Sequence, residues 1–273
     1  MEELYLSEIY IYPIKSLGGI SLNQTIVEEK GLQYDRRWML IDQQGTFISQ
    51  RKHSSLALLQ VDLKGDQLLV YDKLNLQHRI EFPIKKYLPE AIPVQIWDDE
   101  TTGFEVSHKV SDWFSHYLKM PVKLVFMKES TARNVDTKYA VNRETVSFAD
   151  GYPTLIIGQS SLDLLNEKLA SPIEMDRFRP NLVFTGGEAH IEDSFQDFKI
   201  GNIIFNGVKP CARCVLITVN QKTGEKGSEP LKTLSTYRLQ KNKVMFGQNL
   251  LHRASGTVQI GDKLHILSWK QTS

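Results

Sequence analysis

Short apolar, β-branched and aromatic runs, broken at close intervals by glycine-centred turns, leave this chain few folds to adopt. Leu4-Tyr5-Leu6-Ser7-Glu8-Ile9-Tyr10-Ile11-Tyr12 has the composition of a strand, and Met39-Leu40-Ile41-Asp42 and Thr46-Phe47-Ile48 flank a turn at Gly45. Gly65-Asp66 between Val61-Asp62-Leu63 and Leu68-Leu69-Val70-Tyr71 is a hairpin signal, and Gly201-Asn202 and Gly261-Asp262 repeat it. Helical period is clear in two places. Val110, Trp113, Phe114, Tyr117 and Leu118 share one face, and Leu162, Leu165 and Leu169 share another behind the capping candidates Ser160 and Ser161. Many short strands with few helices predict a mainly β protein built of barrels or sandwiches.

The length of 273 residues favours two domains. The polar, weakly patterned segment from Lys128 to Arg143 is the predicted boundary, giving domains 1–127 and 128–273. The same segment also reads as an ordered loop bordering an active site. Basic and acidic residues number 33 and 32, so nothing calls for nucleic acid or an anionic membrane as partner, and any anion site must be local. No apolar run approaches the roughly 20 residues that span a bilayer. Met1-Glu2-Glu3-Leu4 resembles neither a signal nor a transit peptide, and two cysteines suggest a reducing compartment. The expectation is a cytoplasmic protein.

Both cysteines fall in Pro210-Cys211-Ala212-Arg213-Cys214, at the foot of the strand-like run Val215-Leu216-Ile217-Thr218-Val219. A thiolate beside a fixed positive charge suits a metal or sulfur site. Two cysteines three apart also suit a redox pair, although here they precede a strand instead of opening a helix. Zinc would need two more soft ligands, and the seven histidines are scattered. The plain alternative is a pair of small buried hydrophobes.

Motifs elsewhere give the pair a context. Tyr12-Pro13-Ile14-Lys15-Ser16 and Asp35-Arg36-Arg37-Trp38 stand near the N-terminus, and Phe178-Arg179-Pro180-Asn181-Leu182-Val183 precedes the cysteines. Glu229-Pro230-Leu231-Lys232-Thr233-Leu234, Tyr237-Arg238 and Phe246-Gly247-Gln248-Asn249 follow them. In this order they resemble the MOSC family, domains of the molybdenum cofactor sulfurase C-terminal type preceded by their own N-terminal β-barrel domain. The nearest branch looks like the amidoxime-reducing and hydroxylaminopurine-resistance proteins. The resemblance runs from about residue 4 to about residue 268.

That resemblance implies a molybdenum-molybdopterin cofactor, with Cys214 as the metal's protein ligand and Cys211 not. Soft thiolate suits a metal already held by sulfur. Arg213 beside it would stabilise the thiolate or hydrogen-bond the cofactor. Lys15, Ser16 and Arg36 would hold the terminal phosphate, as a point charge, a neutral donor and a bidentate fork. Arg179 and Asn181 would hold pterin and phosphate. Asp150, Gly151 and Tyr152 occupy the place of a loop that touches the cofactor through backbone and small hydroxyls; with Gly151 and Tyr152 here, only backbone contacts are expected. Gln248 and Asn249 would line the metal's far side; His252 lies near that motif, but a lone histidine is more often structural or exposed, and the sequence identifies no proton donor.

The activity implied is two-electron reduction of small N-hydroxylated compounds: hydroxylamines, amidoximes or N-hydroxylated bases. Two cysteines cannot supply the four ligands of an iron–sulfur cluster, so the electrons would come from a separate flavin, iron–sulfur or haem protein. The competing readings are a sulfur carrier that uses a Cys214 persulfide, and a non-catalytic carrier of the molybdenum cofactor.

Overall fold

The computed structural model describes residues 3–271, and they form a mainly β protein. The Gly65-Asp66 hairpin joins Leu59–Lys64 to Gln67–Asp72 with Leu63 opposite Leu68, and Asn75–Pro83 adds a third antiparallel strand. Alternation sends Val61, Leu68, Val70, Ile80 and Phe82 to one face, where they pack with Trp38, Leu124 and the buried stripe of helix His108–Leu118, Val110 and Phe114. Ser107 caps that helix, its side chain accepting from the Val110 N–H. A four-stranded sheet, ordered Trp38–Ile41, Lys123–Phe126, Asp99–Glu105 and Ala91–Ile96, stands beside it.

The largest sheet runs in the order Leu264–Trp269, Phe195–Ile200, Ile203–Arg213, Lys243–His252, Thr154–Gly158, Leu182–Thr185, Tyr5–Ile11 and Ile20–Leu22. Its parallel pair is Thr154–Gly158 with Leu182–Thr185, and helix Gln159–Lys168 lies in the crossover. The first strand of the chain thus lies beside a strand about 175 residues later, and Gln24–Glu28 likewise pairs with Gly256–Gln259. Leu6, Ile9 and Ile11 enter one core with Ile156, Leu182, Phe198 and Leu250. The chain then leaves the large sheet at Tyr12, so Tyr12 to Ser16 sit where the two halves of the sequence meet.

Three local expectations change. Gly201-Asn202 does close a hairpin, Ile200 opposite Ile203, but Gly261-Asp262 does not. The strand before it pairs with Gln24–Glu28 and the strand after it with Phe195–Ile200, and the Asp262 carboxylate closes the turn locally by accepting from the Gln259 N–H at 2.9 Å. Ser160 and Ser161 lie inside the first turn of their helix, whose N-cap is Gly158. Glu192 does the capping from another segment: its buried carboxylate accepts from the Gly158 N–H at 3.2 Å and the Ser161 hydroxyl at 2.9 Å. The run Val215-Leu216-Ile217-Thr218 is a single 3-10 turn, not a strand, closed in part by the Thr218 hydroxyl donating to the Val215 carbonyl at 2.8 Å.

Candidate functional site: a cation cradle beside a thiol ledge

Backbone hydrogen bonds lace the Tyr12–Ser16 segment to Arg36–Trp38. Arg36 N–H donates to the Tyr12 carbonyl at 2.9 Å, Trp38 N–H to Pro13 at 3.0 Å, and Lys15 N–H to Trp38 at 2.8 Å. Lys15, Ser16 and Arg36 are thereby brought to one cleft with Arg179. Three of the four are held in left-handed backbone conformation, Ser16 at φ 72°, Arg36 at φ 50° and Arg179 at φ 53°. Such geometry costs about 1–3 kcal/mol per non-glycine residue and persists only where the surroundings enforce it, so its concentration here singles this cleft out as the candidate site.

The enforcement is visible. The Arg36 guanidinium donates to both oxygens of buried Asp35, at 2.8 and 2.7 Å, to the Asn181 side-chain oxygen at 3.1 Å and to the Arg179 carbonyl at 3.1 Å. The Tyr12 ring carries both guanidinium groups, Arg36 at 4.3 Å and Arg179 at 4.1 Å from its centroid. Arg179 donates from Nη1 to the Leu17 carbonyl at 2.7 Å, while its Nη2 is buried with no hydrogen-bond partner. Burial pulls Arg179 down to about 10. An arginine that gives up hydration without a partner for one nitrogen carries a desolvation cost that an anion would offset. Asn181 is fully engaged by protein, donating to the Tyr10 carbonyl and accepting from Leu155 N–H and Arg36. It orients Arg36.

Lys15 is 7% exposed, and its ammonium donates to the Phe148 carbonyl at 2.8 Å and the Asp150 carboxylate at 2.5 Å. Burial pulls it down to about 8. Desolvation works against ionisation of Asp150, and the Lys15 ammonium outweighs it, holding the carboxyl well below the usual range. The segment from Lys128 to Arg143 borders this site as an ordered loop. From it comes Arg133, 3% exposed, which pairs with Asp99 and donates to the carbonyls of Ser147 at 2.8 Å, Ala149 at 2.5 Å and Asp150 at 3.0 Å. The Trp97 indole N–H adds a bond to Asp150 at 3.2 Å. The loop carrying Asp150, Gly151 and Tyr152 is thus pinned from several sides.

The thiols stand on different ground. Cys211 and Arg213 end the strand Ile203–Arg213, and Cys214 is the first residue of the turn that follows. Cys214 is exposed and Cys211 partly buried. Arg213 turns to Cys211, not to Cys214: its Nη1 donates to the Cys211 Sγ at 3.1 Å and its Nη2 to the Phe178 carbonyl. Both thiols are free, with no disulfide between them. Among the described residues, no three His, Cys, Asp or Glu side chains come together to hold a metal by themselves.

The profile of the MOSC N-terminal beta barrel domain matches residues 3–121 and that of the MOSC domain residues 143–265. Mitochondrial amidoxime reducing component 2 of Rattus norvegicus is 30% identical over 283 residues, covering 95% of this chain and 82% of that protein. The chain belongs to the MOSC family. Human mitochondrial amidoxime-reducing component 1 is 28% identical over 96% of this chain and 82% of its own length. Molybdenum cofactor sulfurase of Oryza sativa subsp. japonica is 28% identical over 90% of this chain but only 32% of that longer protein. No helix among the described residues is long and apolar enough to cross a membrane.

The cleft is partly open to solvent. It is lined by Lys15, Ser16, Arg36, Asp150, Gly151, Tyr152, Arg179, Asn181, Arg213, Cys214 and Asn249, all expected from sequence. Gln248 is not among them. Adjacent strand residues point to opposite faces, and Gln248, next to Asn249, is fully buried. His252 lies near the far end of the same strand, opposite Phe205, and outside the lining. Phe47, Arg51, Thr154, Phe178 and Leu216 line the cleft without having been expected. Arg51 stacks 3.9 Å from the Trp97 ring. No motif flags Arg51 or Trp97, since each acts through a contact made across separate turns.

Proposed function

We propose that this MOSC protein is a molybdenum-cofactor-dependent reductase of small N-hydroxylated compounds, supplied with electrons by a separate protein. The observation that carries the reading is the convergence on one cleft of Lys15, Ser16, Arg36 and Arg179, with a buried Arg179 Nη2 lacking a partner, next to the exposed Cys214 thiol. A terminal phosphate matches that donor set: arginine forks, an ammonium and a hydroxyl around a dianion. Cys214 is the soft ligand for the metal, while Arg213, held by Cys211 and the Phe178 carbonyl, adds a cation to the same cleft lining. When bound, the cofactor supplies the two-electron reduction of the substrate's N–O bond. Leu216, Ile217 and Phe178 give the cleft an apolar side that holds the body of the substrate and excludes water. The reading places the protein in a reducing compartment such as the cytoplasm, where both free cysteines stay reduced.

The test is molybdenum and pterin content of the protein purified from a host that makes the cofactor, followed by benzamidoxime reduction with reduced viologen. Stoichiometric molybdenum and turnover are expected. Cyanide-labile sulfur on Cys214 without molybdenum would favour the sulfur carrier instead, and bound cofactor without turnover would favour the cofactor carrier.

A further inference from the structure

On the outer side of the Val215–Thr218 turn lies a second, shallower groove, lined among others by Arg213, Val215, Leu231, Lys232 and Lys243. It shares Arg213 with the cleft, and its Val215, 55% exposed, is bonded directly to Cys214. A single peptide therefore separates this surface from the thiol ledge. Every charged residue of the lining is a cation. Lys232 and Lys243 are exposed and make no ion pair among the described residues, and Lys241, also exposed, extends the charge at the adjoining turn. Glu229, next to the lining residue Ser228, does not neutralise them by contact; its carboxylate accepts from the Thr233 N–H at 3.0 Å. The chain's net charge is only +1, so the attraction this groove offers is local, and one-signed patches around an apolar centre select and steer partners of opposite sign.

We propose that this groove docks the electron donor, a small one-electron carrier protein with an acidic surface around its redox centre. The inference rests on the reductase reading above and adds where the donor binds and what surface it presents. Per turnover, R–C(NH2)=N–OH takes up two electrons and two protons to give R–C(NH2)=NH and water. The carrier meets the groove twice and is oxidised by one electron each time. Carboxylates meeting Lys232, Lys241 and Lys243 bring its centre beside Val215, next to the thiolate that holds the metal.

The experiment uses the cofactor-loaded protein, benzamidoxime, and an acidic plant-type ferredoxin kept reduced by its reductase, with viologen in a parallel arm. Reversing both charges, Lys232→Glu with Lys243→Glu, should raise the ferredoxin KM by about tenfold or more and remove its steep dependence on ionic strength, while viologen turnover stays the same. An unchanged ferredoxin KM in the double variant overturns the docking site, as does a ferredoxin rate indifferent to salt or no ferredoxin turnover where viologen works. Calorimetric binding of oxidised ferredoxin reads docking without turnover: binding weakened by the double substitution supports the groove even if viologen turnover fails, a failure that would count against the reductase reading alone.

Discussion

The cation cradle and the thiol ledge line the same cleft and are built by opposite means. Lys15, Ser16, Arg179 and Asn181 are each at most 7% exposed, and Arg36 is tied to buried Asp35 and to Asn181, so the cradle is assembled by contacts between segments more than a hundred residues apart. Its left-handed backbones are held by that scaffold. Among the described residues the Cys214 thiol makes no hydrogen bond; it is exposed and depends on one local turn. A binding subsite gains from preorganisation, because ordering is complete before the ligand arrives. A reacting group must instead be reached by metal, substrate and donor. Substitution in the two regions should therefore fail differently.

The largest effect is expected at Cys214, and on activity alone. Cys214→Ser should abolish reductase activity with molybdenum lost or altered in coordination, while thermal stability moves by no more than about 0.5 kcal/mol, as for other exposed positions. An unchanged sulfur-ligand count at the molybdenum edge would break the assignment. Cys211→Ser is the internal comparison. A serine hydroxyl still accepts from Arg213, so activity should fall by less than about tenfold.

In the cradle the expected failure is loss of cofactor with a cost in stability. Each charge-assisted hydrogen bond contributes roughly 1.5–3 kcal/mol, so Arg179→Ala and Arg36→Ala should each weaken cofactor retention about tenfold or more. Arg36→Ala should also unfold more easily, by about 3–5 kcal/mol, because it strands the buried Asp35 carboxylate. Both variants retaining full cofactor through gel filtration would place the phosphate elsewhere.

The same contrast decides what was legible before the structure. The hairpins at Gly65-Asp66 and Gly201-Asn202 read directly, since their signal is local and both flanking strands pair with each other. Gly261-Asp262 carries the same signal, but its flanking strands have other neighbours, a fact about distant residues. The run after Cys214 has strand composition, yet Ile217 is needed in the core and the Thr218 hydroxyl satisfies the Val215 carbonyl, so the chain turns at once. Cradle residues were legible through family motifs; Arg133, which pins the Asp150 loop, and Arg51, on Trp97, belong to none. Gln248 lies outside the lining for the simplest reason, that its strand neighbour Asn249 faces the cleft.

The smallest and most diagnostic effect is a pH dependence from Lys15 alone, with two opposite signs. Burial holds its folded value at about 8, below the usual lysine range. Between about 8 and about 10.5 the unfolded chain binds a proton that the folded chain has released, so this residue makes stability rise with pH across that window; its cost is fully present below about 8. Anion binding runs the other way. As pH rises through about 8 the cradle loses an ammonium while inorganic phosphate is already a dianion, so phosphate affinity of the cofactor-free protein should fall several-fold. Calorimetric titration with phosphate from about pH 8 to about pH 9.5, where the ligand is mostly dianion, measures this, and Lys15→Arg, charged throughout, should flatten the profile. A wild-type profile already flat would show that Lys15 stays committed to Asp150 and takes no part in holding the anion, leaving the cradle to Arg36 and Arg179.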